Sequence, residues 1–275
     1  MYSSLHMWGC DCLEEAGIPE AELDARLLLE HVCGTDRNTL YAHPDLEVTD
    51  EQQERYSELI GKRSARVPLQ YLTGTQEFMG LSFTVGEDVL IPRQDTETLV
   101  EEALIEVEDG DKVLDLCTGS GCVLLSIMCY KNEIEGVGTD LSDQALAIAE
   151  QNAKNLEKKA FFLESDLFGQ LPEMRFDVIV SNPPYIPSDV IETLQPEVKD
   201  HEPVMALDGG EDGLAFYRRI ASDAPRYLKK GGKILLEIGY DQGKAVSGIL
   251  KDAGFSGVTV KKDLAGNDRV VVACV

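Results

Sequence analysis

Over residues 1–70 the apolar positions recur at helical spacing. In AELDARLLLEHV, Leu23, Leu27, Leu28 and Val32 share one face, and Gly34 supplies a stop. DEQQERYSELIGKRSAR predicts another amphipathic helix, closed before Pro68. No polar cluster there has a catalytic look, so 1–70 reads as a small helical domain that recognises or presents a partner. Residues 71–92, YLTGTQEFMGLSFTVGEDVLIP, alternate apolar positions between Gly74, Gly80 and Gly86, which predicts a β-hairpin linker. From residue 93 to 275 short apolar strands alternate with amphipathic helices: KVLDL, GVGTD, AFFLES, FDVIVS, KILLEIG, GVTVKK and RVVVACV. Intervening helices of that kind predict a parallel sheet covered on both faces. The last two strands are joined only by DLAGND, too short for a parallel crossover, so they should run antiparallel.

Composition narrows the function classes. A chain of 275 residues with 43% hydrophobic positions can bury a sizeable core without disulfide staples. Its formal net charge of −25 repels phosphate backbones at long range, and the basic clusters are only pairs such as Arg218-Arg219, Lys229-Lys230 and Lys261-Lys262. Direct nucleic-acid binding is therefore not expected. The seven cysteines have no CxxC pair, and Cys10 and Cys12 lack a second pair to complete a zinc tetrahedron. Free thiols, no metal and a reducing cytoplasm are the expectation. MYSSLHMWGC lacks the pattern of a signal peptide, and no apolar run approaches a membrane span.

Candidate chemistry begins at VLDLCTGSGC, where a strand passes into a helix through Gly119-Ser120-Gly121. Glycines let backbone approach a ligand, and helix N-terminal N–H groups face it. The dinucleotide pattern GxGxxG fails because its third glycine position holds Leu124. Asp115 sits at the first strand's tip, suited to orienting the loop or meeting a cationic ligand. Asp140 ends the second strand, where a carboxylate accepts hydrogen bonds from both ribose hydroxyls of an adenosine. Asp166 and Phe168 follow the third, placed to bond the adenine amino group and to cover its ring. Each has a plainer reading, a helix-capping aspartate or a core phenylalanine. Their order at successive strand ends favours an adenosine site, with NAD and S-adenosyl-L-methionine both open at this stage.

SNPPYIP, after FDVIV, separates them. An amide nitrogen is a poor nucleophile but a strong double donor. The Asn182 side-chain oxygen and the Pro183 carbonyl would offer two acceptors, drawing those hydrogens out of plane and localising the lone pair. Pro183 and Pro184 fix φ and remove competing donors, and Tyr185 could lie against the planar group. NPPY at the fourth strand resembles the signature of methyltransferases acting on planar amide or amine nitrogens. With PRQDTE (92–97), DLCTGSG and QPEVKDHEPVMALDGGEDGLAFYRRI (195–220), the chain is similar over nearly its full length to the HemK/PrmC family of release-factor glutamine N5-methyltransferases.

That resemblance implies a Rossmann-like class I S-adenosylmethionine-dependent methyltransferase domain with a mostly parallel seven-stranded sheet and a terminal antiparallel hairpin. It implies S-adenosyl-L-methionine as cofactor, S-adenosyl-L-homocysteine as product, and the glutamine of the Gly-Gly-Gln loop in class-1 peptide chain release factors as target. Cofactor contacts would be Cys117, Thr118, Gly119, Ser120, Gly121, Asp140, Phe168 and Asn182, with Asp115 and Asp166 added from the strand-tip reading. Asn182, Pro183, Pro184 and Tyr185 would hold the substrate glutamine. Cys117 stands where the family usually has glycine, and Phe168 where tryptophan occurs. Arg93 could clamp peptide carbonyls, whereas Asp95 and Glu97 read as helix-start residues. The competing expectations are glutamine methylation of a ribosomal protein, DNA adenine-N6 methylation, an NAD-linked oxidoreductase and a non-enzymatic adenosine-binding module. The acidity and Leu124 weigh against the DNA and NAD readings, and a monomer is expected.

Overall fold

The computed structural model describes residues 1–275. The chain divides into two compact units: Met1–Thr75 with Gln195–His201, and Gln76–Leu194 with Glu202–Val275.

The first unit is helical, with α1 (Tyr2–Glu15), α2 (Ala21–Cys33), α3 (Arg37–Ala42), α4 (Asp50–Ser64) and α5 (Leu69–Thr73). Gly34 caps α2 in the left-handed conformation at φ 61°, as its position in the pattern predicts. Thr49 and Gln52 form a reciprocal capping box at the start of α4. Leu13, Ala25, Leu28, Leu29, Tyr56, Leu59 and Ile60 make the core, and the Tyr56 hydroxyl donates to the Ala25 carbonyl at 3.0 Å. Arg63 is buried, donating to Asp24 at 2.7 Å and to Glu197 at 3.1 Å, and Arg66 also reaches Glu197 at 3.1 Å. Residues 195–201, distant in sequence, group with this unit, which apolar periodicity over 1–70 does not signal.

A two-stranded sheet follows, β1 (Thr75–Phe78) and β2 (Leu81–Thr84), then α6 (Gln94–Glu106). Next come β3 (Lys112–Leu116), α7 (Cys122–Tyr130), β4 (Glu135–Asp140), α8 (Asp143–Asn155), β5 (Phe161–Glu164) and β6 (Phe176–Ser181). Short helices α9 (Pro196–Lys199) and α10 (Val204–Leu207) precede α11 (Ala215–Tyr227), β7 (Leu228–Glu237), α12 (Gly243–Asp252), β8 (Ser256–Lys262) and β9 (Asp268–Cys274).

The large sheet has the order β5-β4-β3-β6-β7-β9-β8. Strands β5 to β7 are parallel, and β9 runs antiparallel to both β7 and β8. Its two faces bury separate apolar clusters, one containing Tyr217, Ile220 and Val246, the other Leu99, Leu124 and Ile127. β3 is where strand order reverses: β4 and β5 lie on one side, β6 and β7 on the other. In such sheets the crevice beyond the carboxyl ends of the strands at that point receives the ligand.

Candidate functional site

Register brings the strand tips together. Leu116 of β3 pairs with Thr139 of β4 and with Ser181 of β6, so Cys117, Asp140 and Asn182 leave the sheet side by side. Asp140 in turn pairs with Glu164 of β5, just before Asp166. Beyond these tips lies a cavity of about 240 Å³. Asp115, Cys117, Thr118, Gly119, Ser120, Asp140, Asp166, Asn182, Pro184 and Arg93 all line it.

The glycine loop is held by carboxylates. Asp140 Oδ2 accepts the Gly119 N–H at 2.9 Å, and Oδ1 accepts the Ser142 N–H at 3.0 Å. Each oxygen keeps a further lone pair for a diol. Burial raises the Asp140 pKa despite those bonds. Asp115 is wholly buried, and Thr118 Oγ1 donates to its Oδ2 at 2.7 Å. Burial pushes its carboxyl up to about 7. Gly121 caps α7 at φ 77° and leaves the lining to Cys122 and Val123. Cys117 adopts φ 58°, left-handed space that favours glycine, which explains why glycine is the residue the family resemblance expects. Burial keeps its thiol protonated, with Asp140 and Asp115 acting in the same direction.

This arrangement suits a cationic, adenosine-bearing group. Four carboxylates, those of Asp88, Asp115, Asp140 and Asp166, line one cavity, and Ser120 Oγ is buried there without a hydrogen-bond partner. A Cβ built on Gly119 would meet nothing within 4 Å, so the loop backbone borders open space.

Phe168 is a correction to the sequence reading. Its ring is buried in the core and stacks on Tyr227 at 4.7 Å, away from the cavity. Its neighbour Leu167, at φ 55°, lines the cavity instead, as does the Phe216 ring. The left-handed backbone at Leu167 breaks the alternation of side-chain direction that continued strand geometry would give. Asp166 does reach the cavity, where its Oδ2 meets Arg219 Nη2 at 2.8 Å.

On the β6 side, Asn182 Nδ2 donates to Thr96 Oγ1 at 3.3 Å. The amide nitrogen is thus engaged by Thr96, itself a residue of the cavity lining. Pro183 and Pro184 are buried, and only Pro184 of the two lines the cavity. Tyr185 does not line it: the side chain packs against the core, and its carbonyl accepts from Gln242 Nε2 at 3.0 Å. Arg93 is ion-paired to buried Glu202 through one nitrogen of its fork.

Residues that no motif signalled complete the support. LDGGEDGL packs on the exit of NPPY. Gly209 N–H donates to the Ile186 carbonyl at 2.8 Å, and a Cβ on Gly209 would stand 2.7 Å from the Tyr185 Cα. Asn152 of α8 is buried and ties the Ser120 carbonyl to both backbone groups of Thr84. Thr96 lies within PRQDTE without a role being marked there, and Asn152, Glu237 and Gln242 lie outside the motifs, where nothing local marks them.

Comparison with known proteins decides the family. Residues 4–74 match the PrmC N-terminal domain and residues 94–195 the methyltransferase small domain. The release factor glutamine methyltransferase of Geobacter sulfurreducens is 43% identical over 264 residues, covering 96% of this chain and 93% of the relative. The chain belongs to the release factor glutamine methyltransferase family. The relative of the same description from Clostridium botulinum is 43% identical over 271 residues and is covered to 96%, as is this chain. A methyltransferase from Pyrococcus furiosus, 18% identical, superposes with a TM-score of 0.54 over 82% of this chain and 98% of its own, a likeness of fold. The class I methyltransferase architecture expected from the strand pattern is therefore the one observed. No helix is long and apolar enough to cross a membrane.

Proposed function

We propose that the protein transfers a methyl group from S-adenosyl-L-methionine to the side-chain amide nitrogen of the glutamine in the Gly-Gly-Gln loop of class-1 peptide chain release factors. The observation that carries this reading is the hydrogen bond from the Asn182 nitrogen to Thr96 at the cavity lining, which engages the donor end of the amide and leaves its oxygen to accept. Family membership and the full-length match to relatives described as release factor glutamine methyltransferases support the same reading.

Asp140 holds the ribose hydroxyls, the Thr118–Gly121 loop receives the amino-acid portion, and Asp166 with Leu167 and Phe216 borders the adenine. Asp115 supplies negative charge beneath the cationic end. When bound, the cofactor supplies an electrophilic methyl on a positively charged sulfur and leaves as S-adenosyl-L-homocysteine. Asn182 Oδ1 would accept one amide hydrogen of the glutamine and the carbonyl of Pro183, a residue outside the cavity lining in this structure, the other, which would concentrate the nitrogen lone pair toward that methyl. Transfer there would form the N–C bond at the expense of the S–C bond, and the surplus amide proton would then pass to water, so no side-chain base is required to begin. Pro183 and Pro184 contribute no N–H to compete. Tyr185 acts from the core, holding the wall through its carbonyl rather than by lying on the substrate. The helical unit is the part we assign to recognising the release factor, with the protein working as a cytoplasmic monomer and without direct nucleic-acid contact.

The test is methyl transfer from labelled cofactor to purified release factor, with mass spectrometry locating the product on the glutamine. A release factor carrying Gln→Glu there should be rejected by roughly 10⁴-fold, because a carboxylate has no hydrogens for two acceptors. Comparable methylation of the two substrates would refute the reading.

A further inference from the structure

β7 ends at Glu237, and the pairing of Leu236 with Ser181 sets Glu237 level with Asn182 on the neighbouring strand. Glu237 is buried, does not line the cavity, and its Oε2 has no hydrogen-bond partner. A buried carboxylate is costly unless it is paired and hydrogen-bonded. Around it stand Thr96 and Asp95 from α6, Arg269 from β9, Asn182 and Tyr185 after β6, Tyr217 from α11 and Cys122 from α7. Thr96 and Asn182 stand close enough to favour its charged form, although neither bonds to Oε2.

We propose that Glu237 is a positioning residue: its carboxylate, acting with Thr96, fixes which end of the Asn182 amide faces the substrate. An asparagine amide is nearly symmetric in shape, so packing alone does not choose between its oxygen and nitrogen. An ionised carboxylate does choose, since it only accepts. With Asn182 Nδ2 toward Thr96 and Glu237, both wall groups meet hydrogens and Oδ1 is left to accept. With the amide reversed, Oδ1 would confront a buried anion, and two N–H donors would point at a substrate that itself only donates there. The proposal rests on the role given to the Asn182 oxygen above.

Protonation abolishes the choice, because a carboxylic acid can donate to a reversed amide. Burial pushes Glu237 up to about 7, with Asp95 raising it and Arg269, Thr96 and Asn182 lowering it. The acceptor-only form therefore predominates above that pH and disappears below it.

The experiment measures kcat with saturating cofactor and release factor from pH 5.5 to 9, alongside S-adenosyl-L-homocysteine binding by calorimetry and thermal melts. Wild-type kcat should fall as pH descends through about 7. Glu237→Gln should lower kcat at pH 8.5 by roughly tenfold or more, the scale of a misplaced reacting group, and lose that acidic limb while cofactor-product affinity stays within about threefold. Should Glu237→Gln fail to melt cooperatively, Thr96→Val serves, with the same fall in kcat but the limb retained. A flat wild-type profile, or a folded Glu237→Gln with wild-type kcat and limb, overturns the proposal while leaving the amide-clamp reading intact. Asn182→Ala run in parallel should be nearly inactive; if it turns over normally, the clamp reading and the proposal fall together.

Discussion

Asn152 is the residue through which the hairpin, the glycine loop and α8 hold one another. Its Oδ1 accepts the Thr84 N–H at 2.7 Å, and its Nδ2 donates to the Thr84 carbonyl at 3.0 Å and the Ser120 carbonyl at 2.9 Å. The side chain is fully buried, so water cannot replace these bonds when it is removed. Asn152→Ala deletes all of them and strands a buried N–H. At about 0.5–1.5 kcal/mol per bond the loss is ~3 kcal/mol, rising where an orphaned group stays dry. For a unit of this size that lowers Tm by roughly 6–12 °C. The loop carrying Ser120 also supplies the Gly119 N–H that Asp140 accepts, so cofactor affinity should weaken together with stability. Chemical denaturation followed by circular dichroism gives the first quantity, and calorimetry with S-adenosyl-L-methionine the second. A loss under about 1 kcal/mol would mean the bonds exchange for water at no cost, contrary to the burial argument. A large loss of stability with unchanged affinity would instead detach Asn152 from the loop.

Three further outcomes are expected. Cys117→Gly relieves a left-handed backbone at φ 58° and should hold stability level or raise it by about 1 kcal/mol; a fall of that size in urea unfolding would refute the strain argument. Burial holds Asp115 up at about 7, so the anion beneath the cofactor's positive charge is lost as pH drops, and S-adenosyl-L-methionine affinity should strengthen from pH 6 to 8 in calorimetry. Asp115→Asn should flatten that dependence, and an equally steep curve in the variant would assign it elsewhere. Arg63→Ala leaves Asp24 and Glu197 without the cation they share and should destabilise the helical unit by about 3–5 kcal/mol, visible as early loss of α-helical signal on heating.

The large sheet was legible because its strands are short apolar runs separated by helix-length segments, and DLAGND left too few residues for a crossover. The strand-tip aspartates were legible for the same reason: once register is parallel, the residue after each apolar run must emerge at one edge. Phe168 shows where that logic stops. One left-handed residue, Leu167, rotates the chain after β5, and side-chain direction beyond a strand depends on a backbone inversion that composition does not announce. Tyr185 fails similarly, since the motif names the residue but the LDGGEDGL segment, tight enough to require Gly209 and Gly213, decides where its chain runs.

The support layer was invisible for a different reason. Thr96, Asn152, Glu237 and Gln242 are polar residues inside otherwise ordinary helices or at strand and helix ends, and each acquires meaning only from a partner distant in sequence. A buried polar side chain is expensive unless satisfied, so in the folded structure each of them demands an account. Three have one in their hydrogen bonds: Thr96 accepts from Asn182, Asn152 holds the loop, and Gln242 holds the NPPY exit. Glu237 alone keeps an oxygen without a partner beside the group that must present an acceptor. On the proposed reading, the motif names which atoms meet the substrate, while the buried polar residues behind it set which way those atoms point.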